Sequence, residues 1–218
     1  MTGVPGTAGV IGLGYLVGAI PFGVLAGWLA GGVDLRRQGS RRTGATNALR
    51  TLGMRWALVV LVLDIAKGAA AVLLARLLFQ ADGGPDVAVV AATAGLAAVV
   101  GHTWSAFIGF RGGRGVATTA GGLLVLAPLA VAVLVVLVLA VAWRTRYVSA
   151  GSLAGATAAP LVTGALAVPG LNGWPAVGYA LATGLLVVIS HRDNIARLRA
   201  GTERRIGERE AVGDHEQG

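Results

Sequence analysis

Six stretches of this chain carry so little charge over so many residues that lipid suits them better than water. They lie at about 9–29, 56–79, 87–108, 115–143, 148–168 and 174–190. A helix needs about 20 residues to cross the apolar core of a bilayer. Hydrophobic residues make up 55% of the 218, and the mean hydropathy is +0.74. That leaves too few polar residues to clothe a soluble domain of this size. The length suits one bundle, ending at about residue 205, with a polar and disordered tail over 206–218. No basic residue precedes the first apolar run, so that run reads as a permanent span rather than a cleavable signal.

Charge decides how the spans are threaded. Arginines cluster in the loop that holds Arg36, Arg37, Arg41, Arg42, Arg50 and Arg55. They recur at Arg111 and Arg114, at Arg144 and Arg146, and in the tail from Arg192 onward. Basic loops stay in the cytoplasm. All four regions can be cytoplasmic only if the chain crosses twice between Arg114 and Arg144, as a hairpin turning near Pro128. The expectation is an all-α integral membrane protein, a compact bundle of seven transmembrane helices. Its N-terminus lies outside and its C-terminus in the cytoplasm. The two remaining loops agree: 80–86 holds Asp82 and Asp86 without a basic residue, and 169–173 holds no charge. The hairpin makes the fourth and fifth spans short.

Composition removes several chemistries. There is no cysteine, so disulfides, thiol catalysis and cysteine metal sites are excluded. The three histidines are His102, His191 and His215, the last in the polar tail. The net charge is +8, and every basic residue but Lys67 is arginine. Aromatic residues are scarce and do not alternate with the arginines, which speaks against nucleic acid. Anionic membrane or anionic substrates fit better.

Three polar segments carry the remaining signal, all on the cytoplasmic side of this topology. The first runs from Gly39 and Ser40 through Arg42, Gly44, Thr46 and Asn47 to Arg50. Glycines let backbone amides converge on an anion, and arginine grips phosphate with two parallel hydrogen bonds. The second holds Gly101, His102 and Ser105, then Phe110-Arg111-Gly112-Gly113-Arg114-Gly115 leading into a helix whose N-terminus favours anions. The third is His191-Arg192-Asp193-Asn194 with Arg197, followed by Glu203. His191 and Asn194 share a helical face and can orient a substrate or move a proton. Each segment also has an ordinary reading: a positive-inside loop, a tight turn with charge anchors, and an amphipathic helix lying on anionic lipid.

Asp64 and Lys67 lie inside the second span, three residues apart on one face. Charges at that depth must pair or face a polar cavity, so they read as a structural ion pair or as shapers of the site. Asp34, Asp193 and Glu203 stand isolated in the sequence, so no acid cluster offers itself to a divalent metal. The pattern suits binding dianions rather than generating a strong base.

At these segments the chain resembles the bacterial membrane acyl-phosphate:glycerol-3-phosphate acyltransferases. The first loop resembles Gly-Ser-Gly-Asn-x-Gly-Ala-Thr-Asn-x-x-Arg at Ser40, Gly44, Ala45, Thr46, Asn47 and Arg50. The second resembles Gly-His-x-x-Ser followed by Phe-Lys-Gly-Gly-Lys-Gly-Val-Ala-Thr, at His102, Ser105, Phe110, Gly112, Gly113 and 115–118. The third matches His-Arg-x-Asn-Ile-x-Arg-Leu-x-x-Gly-x-Glu at every fixed position. Asp64, Lys67 and Gly68, Arg146-Tyr147 with Ser149, and Ile20-Pro21-Phe22-Gly23 fit as well. Two places differ. Arg41-Arg42 stands where the pattern has Gly-Asn, and Arg111 and Arg114 stand where it has lysines.

The resemblance implies transfer of a fatty acyl group from acyl phosphate to glycerol 3-phosphate, at the inner face of a bacterial cell membrane. The implied partners are those two substrates and membrane lipid. No cofactor or metal is implied, and a monomer suffices. His191, Asn194, Ser40 and Arg114 are the implied catalytic residues. Arg50, Thr46, Asn47, Gly44, His102, Ser105, Arg111, Gly112, Gly113 and Ser149 are the implied substrate contacts. The rival reading is a transporter for a small phosphate-containing anion or lipid, which calls for polar groups at the bilayer midplane and for repeat symmetry.

Overall fold

The computed structural model describes residues 6–79 and 86–207, and among them every regular element is helical. Thus Asp82, His215 and most of the expected tail lie outside the described residues. Ten α-helices follow one another: α1 (Thr7–Ala19), α2 (Phe22–Leu29), α3 (Ala45–Leu52), α4 (Met54–Leu78), α5 (Val87–Thr103), α6 (Val116–Leu126), α7 (Pro128–Thr145), α8 (Val148–Ala167), α9 (Trp174–Ser190) and α10 (Arg192–Arg199).

The first apolar run is broken between α1 and α2. Pro21 has no N–H to continue the ladder, so carbonyls ahead of it lose their helical partners. In lipid such groups need new donors. Ser105 Oγ donates to the Ala19 carbonyl at 2.6 Å, and Lys67 Nζ donates to the Ile20 carbonyl at 3.0 Å. Ser105 of the second polar segment and Lys67 inside α4 are thereby used to seal the scaffold.

Small residues bring the backbones together. A side chain at Gly14 or Gly18 of α1 would strike the main chain of Ala94 or Ala98 on α5. Gly68 of α4 lies in the same way against Thr118 of α6, and Gly121 of α6 against Ile65. This close approach replaces the hydrophobic drive that helices lack inside a membrane.

The apolar stretch after Arg114 is divided near Pro128, as the sequence predicts, but unevenly. The chain turns at Ala127 (φ −153°, ψ 71°), and Pro128 starts α7. Helix α7 has 18 residues and is long enough to cross a bilayer; α6 has only 11. By length and apolarity the described residues supply five spans, or six if α9 and α10, bent by 59°, count as one. Both ends of the stretch return to the same neighbourhood. Arg114, just before α6, donates from Nε to the Ser190 carbonyl at 3.3 Å. Ser149, just after α7, bonds Glu203 at 2.8 Å, beyond α10.

The α1–α5 seam predicts a clear defect. Gly18→Val should lower stability by roughly 1–3 kcal/mol through overpacking, read as a fall in unfolding temperature in lipid. Gly12→Val, where a side chain meets open space, should leave that temperature unchanged. Equal effects would contradict the seam.

Candidate active site

The first polar segment is shaped from within by Asn47, which is buried on α3. Its Oδ1 accepts the Ser40 amide at 2.9 Å, while Nδ2 faces the carbonyls of Leu35, Gln38 and Arg42 at 3.0, 3.1 and 2.8 Å. The side chain that the sequence assigned to substrate is therefore occupied in holding its own loop. Gly39 (φ +54°) lies so close to Asn47 Oδ1 that no side chain fits there. Next to Ser40, Arg41 also adopts a left-handed conformation (φ +56°). That conformation is costly for any residue but glycine, the residue the family pattern carries at this position. The turn leaves Arg41 exposed and Arg42 partly covered. Thr46 and Arg50 lie four apart on α3, so they share a face.

The second segment is anchored by a buried cluster. Lys67 Nζ lies 2.8 Å from Asp64 Oδ1, and His102 Nδ1 lies 3.4 Å from the same oxygen. All three side chains are buried. The His102 and Thr103 carbonyls accept the amides of Gly113 and Gly112, each at 3.1 Å. The other edge of the His102 ring presses on Gly113, leaving no room for a side chain. The two glycines thus fold the turn onto His102, and Gly115 (φ +86°) starts α6. The turn directs Arg114 inward. Burial first, then the nearby charges of Arg42 and Arg197, pull its guanidinium down to about 10, so it stays charged at neutral pH. Arg111 is exposed on the outside of the turn.

The third segment starts where α9 ends. His191 Nδ1 lies 2.8 Å from the Val187 carbonyl, which can only accept, so this nitrogen carries the proton and Nε2 is left as an acceptor. Burial, reinforced by Arg114 and Arg42, pulls the imidazole down to about 4, which keeps it neutral near pH 7. Asn194 Nδ2 and Ser149 Oγ both donate to Glu203 Oε1, at 2.6 and 2.8 Å, and Arg197 Nε donates to Oε2 at 2.7 Å. Asn194 Oδ1 is buried with no hydrogen-bond partner in the protein.

These segments border one cavity of about 410 Å³. Of the residues singled out in the sequence, Ser40, Gly44, Thr46, Asn47, Arg50, Asp64, His102, Arg114, Ser149, His191 and Asn194 line it. Ser105, Lys67, Gly112 and Gly113 do not, and their bonds and packing serve the scaffold; Arg111 also lies outside it. Arg42 and Glu203, named in the polar segments but given no catalytic or substrate-binding role there, line it too. Glu203 stands alone in the sequence, yet it is a fixed position of the third pattern, and that was its only signal. The cavity continues between apolar side chains, among them Leu61, Ile65, Leu123, Leu134 and Val138. One end suits a phosphate and the other a hydrocarbon chain.

Such a fold and site define an integral membrane protein whose cavity is lined by arginines and by aliphatic side chains. The comparisons make the class specific. The profile of the family described as glycerol-3-phosphate acyltransferase matches residues 8–201. Glycerol-3-phosphate acyltransferase 2 of Moorella thermoacetica is 47% identical over 195 residues, covering 89% of this chain and 95% of that one. Two crystal structures of PlsY (YgiH), an integral membrane glycerol 3-phosphate acyltransferase, superpose well. Its glycerol 3-phosphate form has a TM-score of 0.81 at 35% identity, and its lysophosphatidic acid form 0.80 at 34%. Each comparison covers 93% of this chain and 96% of the other. The chain belongs to the glycerol-3-phosphate acyltransferase family.

The Glu203 cluster predicts a pH-dependent stability. Burial pushes this carboxyl up, but hydrogen bonds from Asn194, Ser149 and Arg197 more than offset it, and it sits below its ordinary 4.5. Its stabilisation is complete above that ordinary value and is lost as pH falls through the lowered one. Glu203→Gln should lose about 1–3 kcal/mol at pH 7. The gap to the parent in unfolding temperature should narrow on acidification toward pH 3. A gap independent of pH would contradict the ionised cluster.

Proposed function

We propose that this chain transfers a fatty acyl group from acyl phosphate to the 1-hydroxyl of glycerol 3-phosphate, releasing lysophosphatidate and phosphate for phospholipid synthesis. The observation that carries the reading is the cavity, with arginines at one end and aliphatic side chains at the other. Each expected substrate brings a phosphate, and one brings a long chain.

Ser40, Gly44, Thr46 and Arg50 are assigned to the donor's phosphate and reacting carbonyl, with Asn47 keeping their loop in shape. Arg114 holds charge that builds up in the transition state, inside a site dry enough to make it effective. His191 Nε2 and Asn194 Oδ1 are acceptors that orient the attacking hydroxyl. The hydroxyl oxygen bonds to the acyl carbon, and the bond from that carbon to the phosphate oxygen breaks. His191, pulled down to about 4, is too weak a base to keep the proton. The departing phosphate is the stronger base and takes it. Ser149 acts by fixing Glu203, and His102 with Asp64 by holding the turn before Arg114. No cofactor enters this scheme.

We assign the activity to a single domain ending at about residue 205 and acting as a monomer. In this reading α6 is a seventh, short crossing, shielded from lipid by α4, α5 and α9. The N-terminus is outside, and the site opens to the cytoplasm from the inner membrane, which keeps the arginine-rich loops inside.

Purified protein in lipid, given glycerol 3-phosphate, should form lysophosphatidate from palmitoyl phosphate and not from palmitoyl-CoA or acylated carrier protein. Product from either of the latter alone would overturn the donor assignment. His191→Ala should lower kcat on the order of 100-fold, as loss of a positioned polar group does; parental activity would discard its role. Arg50→Ala should raise a Michaelis constant on the order of tenfold, the worth of a charge-assisted bond; unchanged constants would discard the clamp.

A further inference from the structure

Arg42 departs from the family pattern, which has asparagine at this position. Its backbone is fixed, because its carbonyl accepts from Asn47 Nδ2 at 2.8 Å. Its side chain lines the cavity beside Arg50, Arg114 and His191. Its positive charge reaches both Arg114 and His191, disfavouring the charged form of each. One partner is visible. Asp193 Oδ2 lies 3.7 Å from Arg42 Nη2, too far for a hydrogen bond, on a side chain 50% exposed. A pair that long and that wet contributes little stability. Glu203, which lines the same cavity, is already engaged by three donors.

Position separates the two substrates. Arg42 is 28% exposed, whereas the side chains of Asp64 and His102, deeper in the same cavity, are 3% and 5% exposed. The long-chain donor needs the aliphatic end. The small acceptor is a dianion that arrives from water. We propose that Arg42 is a specificity-determining residue for glycerol 3-phosphate, leaving Asp193 to bind the acceptor's phosphate at the wet mouth of the cavity. This inference rests on the proposed reaction. Arg42 and Asp193 form a loose pair that an incoming dianion outcompetes, because phosphate offers more charge and a bidentate edge to the guanidinium. Asp193 is a competitor for the arginine, so removing either member acts in opposite directions.

Steady-state kinetics of the full chain in lipid, with palmitoyl phosphate and glycerol 3-phosphate varied in turn, test this. Arg42→Asn should raise the KM for glycerol 3-phosphate about tenfold, with kcat and the KM for palmitoyl phosphate changed less than about twofold. Arg42→Lys, which keeps charge but not the fork, should fall between the two. Asp193→Asn should lower the KM for glycerol 3-phosphate by about two- to threefold, in line with an exposed pair. If both variants raise that KM together, the pair is a structural clasp and the proposal is overturned. An effect of Arg42→Asn confined to palmitoyl phosphate, or no effect, overturns it as well. Failure of the proposed reaction itself looks different: the parent protein would then form no lysophosphatidate from these two substrates.

Discussion

Inside a bilayer, a charge or a backbone carbonyl without a partner is expensive, and most of this architecture follows from meeting that condition around Asp64. Its carboxylate holds Lys67 and lies beside His102. Lys67 reaches on to the Ile20 carbonyl at the break before Pro21, which ties α4 to the bend between α1 and α2. His102 supports the Gly112-Gly113 turn, and the turn aims Arg114 at the end of α9. One buried cluster thus connects the scaffold to the basic end of the cavity.

A second polar knot closes the site from the other side. Glu203 gathers Ser149 at the start of α8 with Asn194 and Arg197 on α10. It is a carboxylate whose task is positional. It consumes the donors of Asn194 and leaves that residue's oxygen as an acceptor, while His191 is fixed as a neutral ring with Nε2 free. The two knots together border a pocket that presents arginines together with the acceptors Asn194 Oδ1 and His191 Nε2.

Apolar runs, arginine-rich loops and the break near Pro128 were all legible in the sequence, because each is a local property of a segment. Helix length was less so: the turn near Pro128 makes α6 short, as expected, but α7 was expected short as well and instead takes 18 residues, running on through Arg144 to Thr145. The pairing of Asp64 with Lys67 followed from helical spacing, but its contact with His102 crosses to another helix and left no local trace. Asn47, Gly112 and Gly113 look like ligand-binding residues in a sequence. In three dimensions they pack and bond the loops that carry Ser40 and Arg114. The role of Glu203 was hidden for the opposite reason: an acid isolated in the chain is surrounded in space by three donors from two helices.

The central claim is that three segments far apart in the chain form one anion-binding end of one cavity. A structure determined with glycerol 3-phosphate bound tests it most directly. The phosphate should lie within hydrogen-bond distance of arginines lining the cavity, Arg42 among them, with the 1-hydroxyl facing His191. A phosphate held instead by exposed arginines such as Arg41 or Arg111, with the cavity left to solvent or lipid, would contradict it.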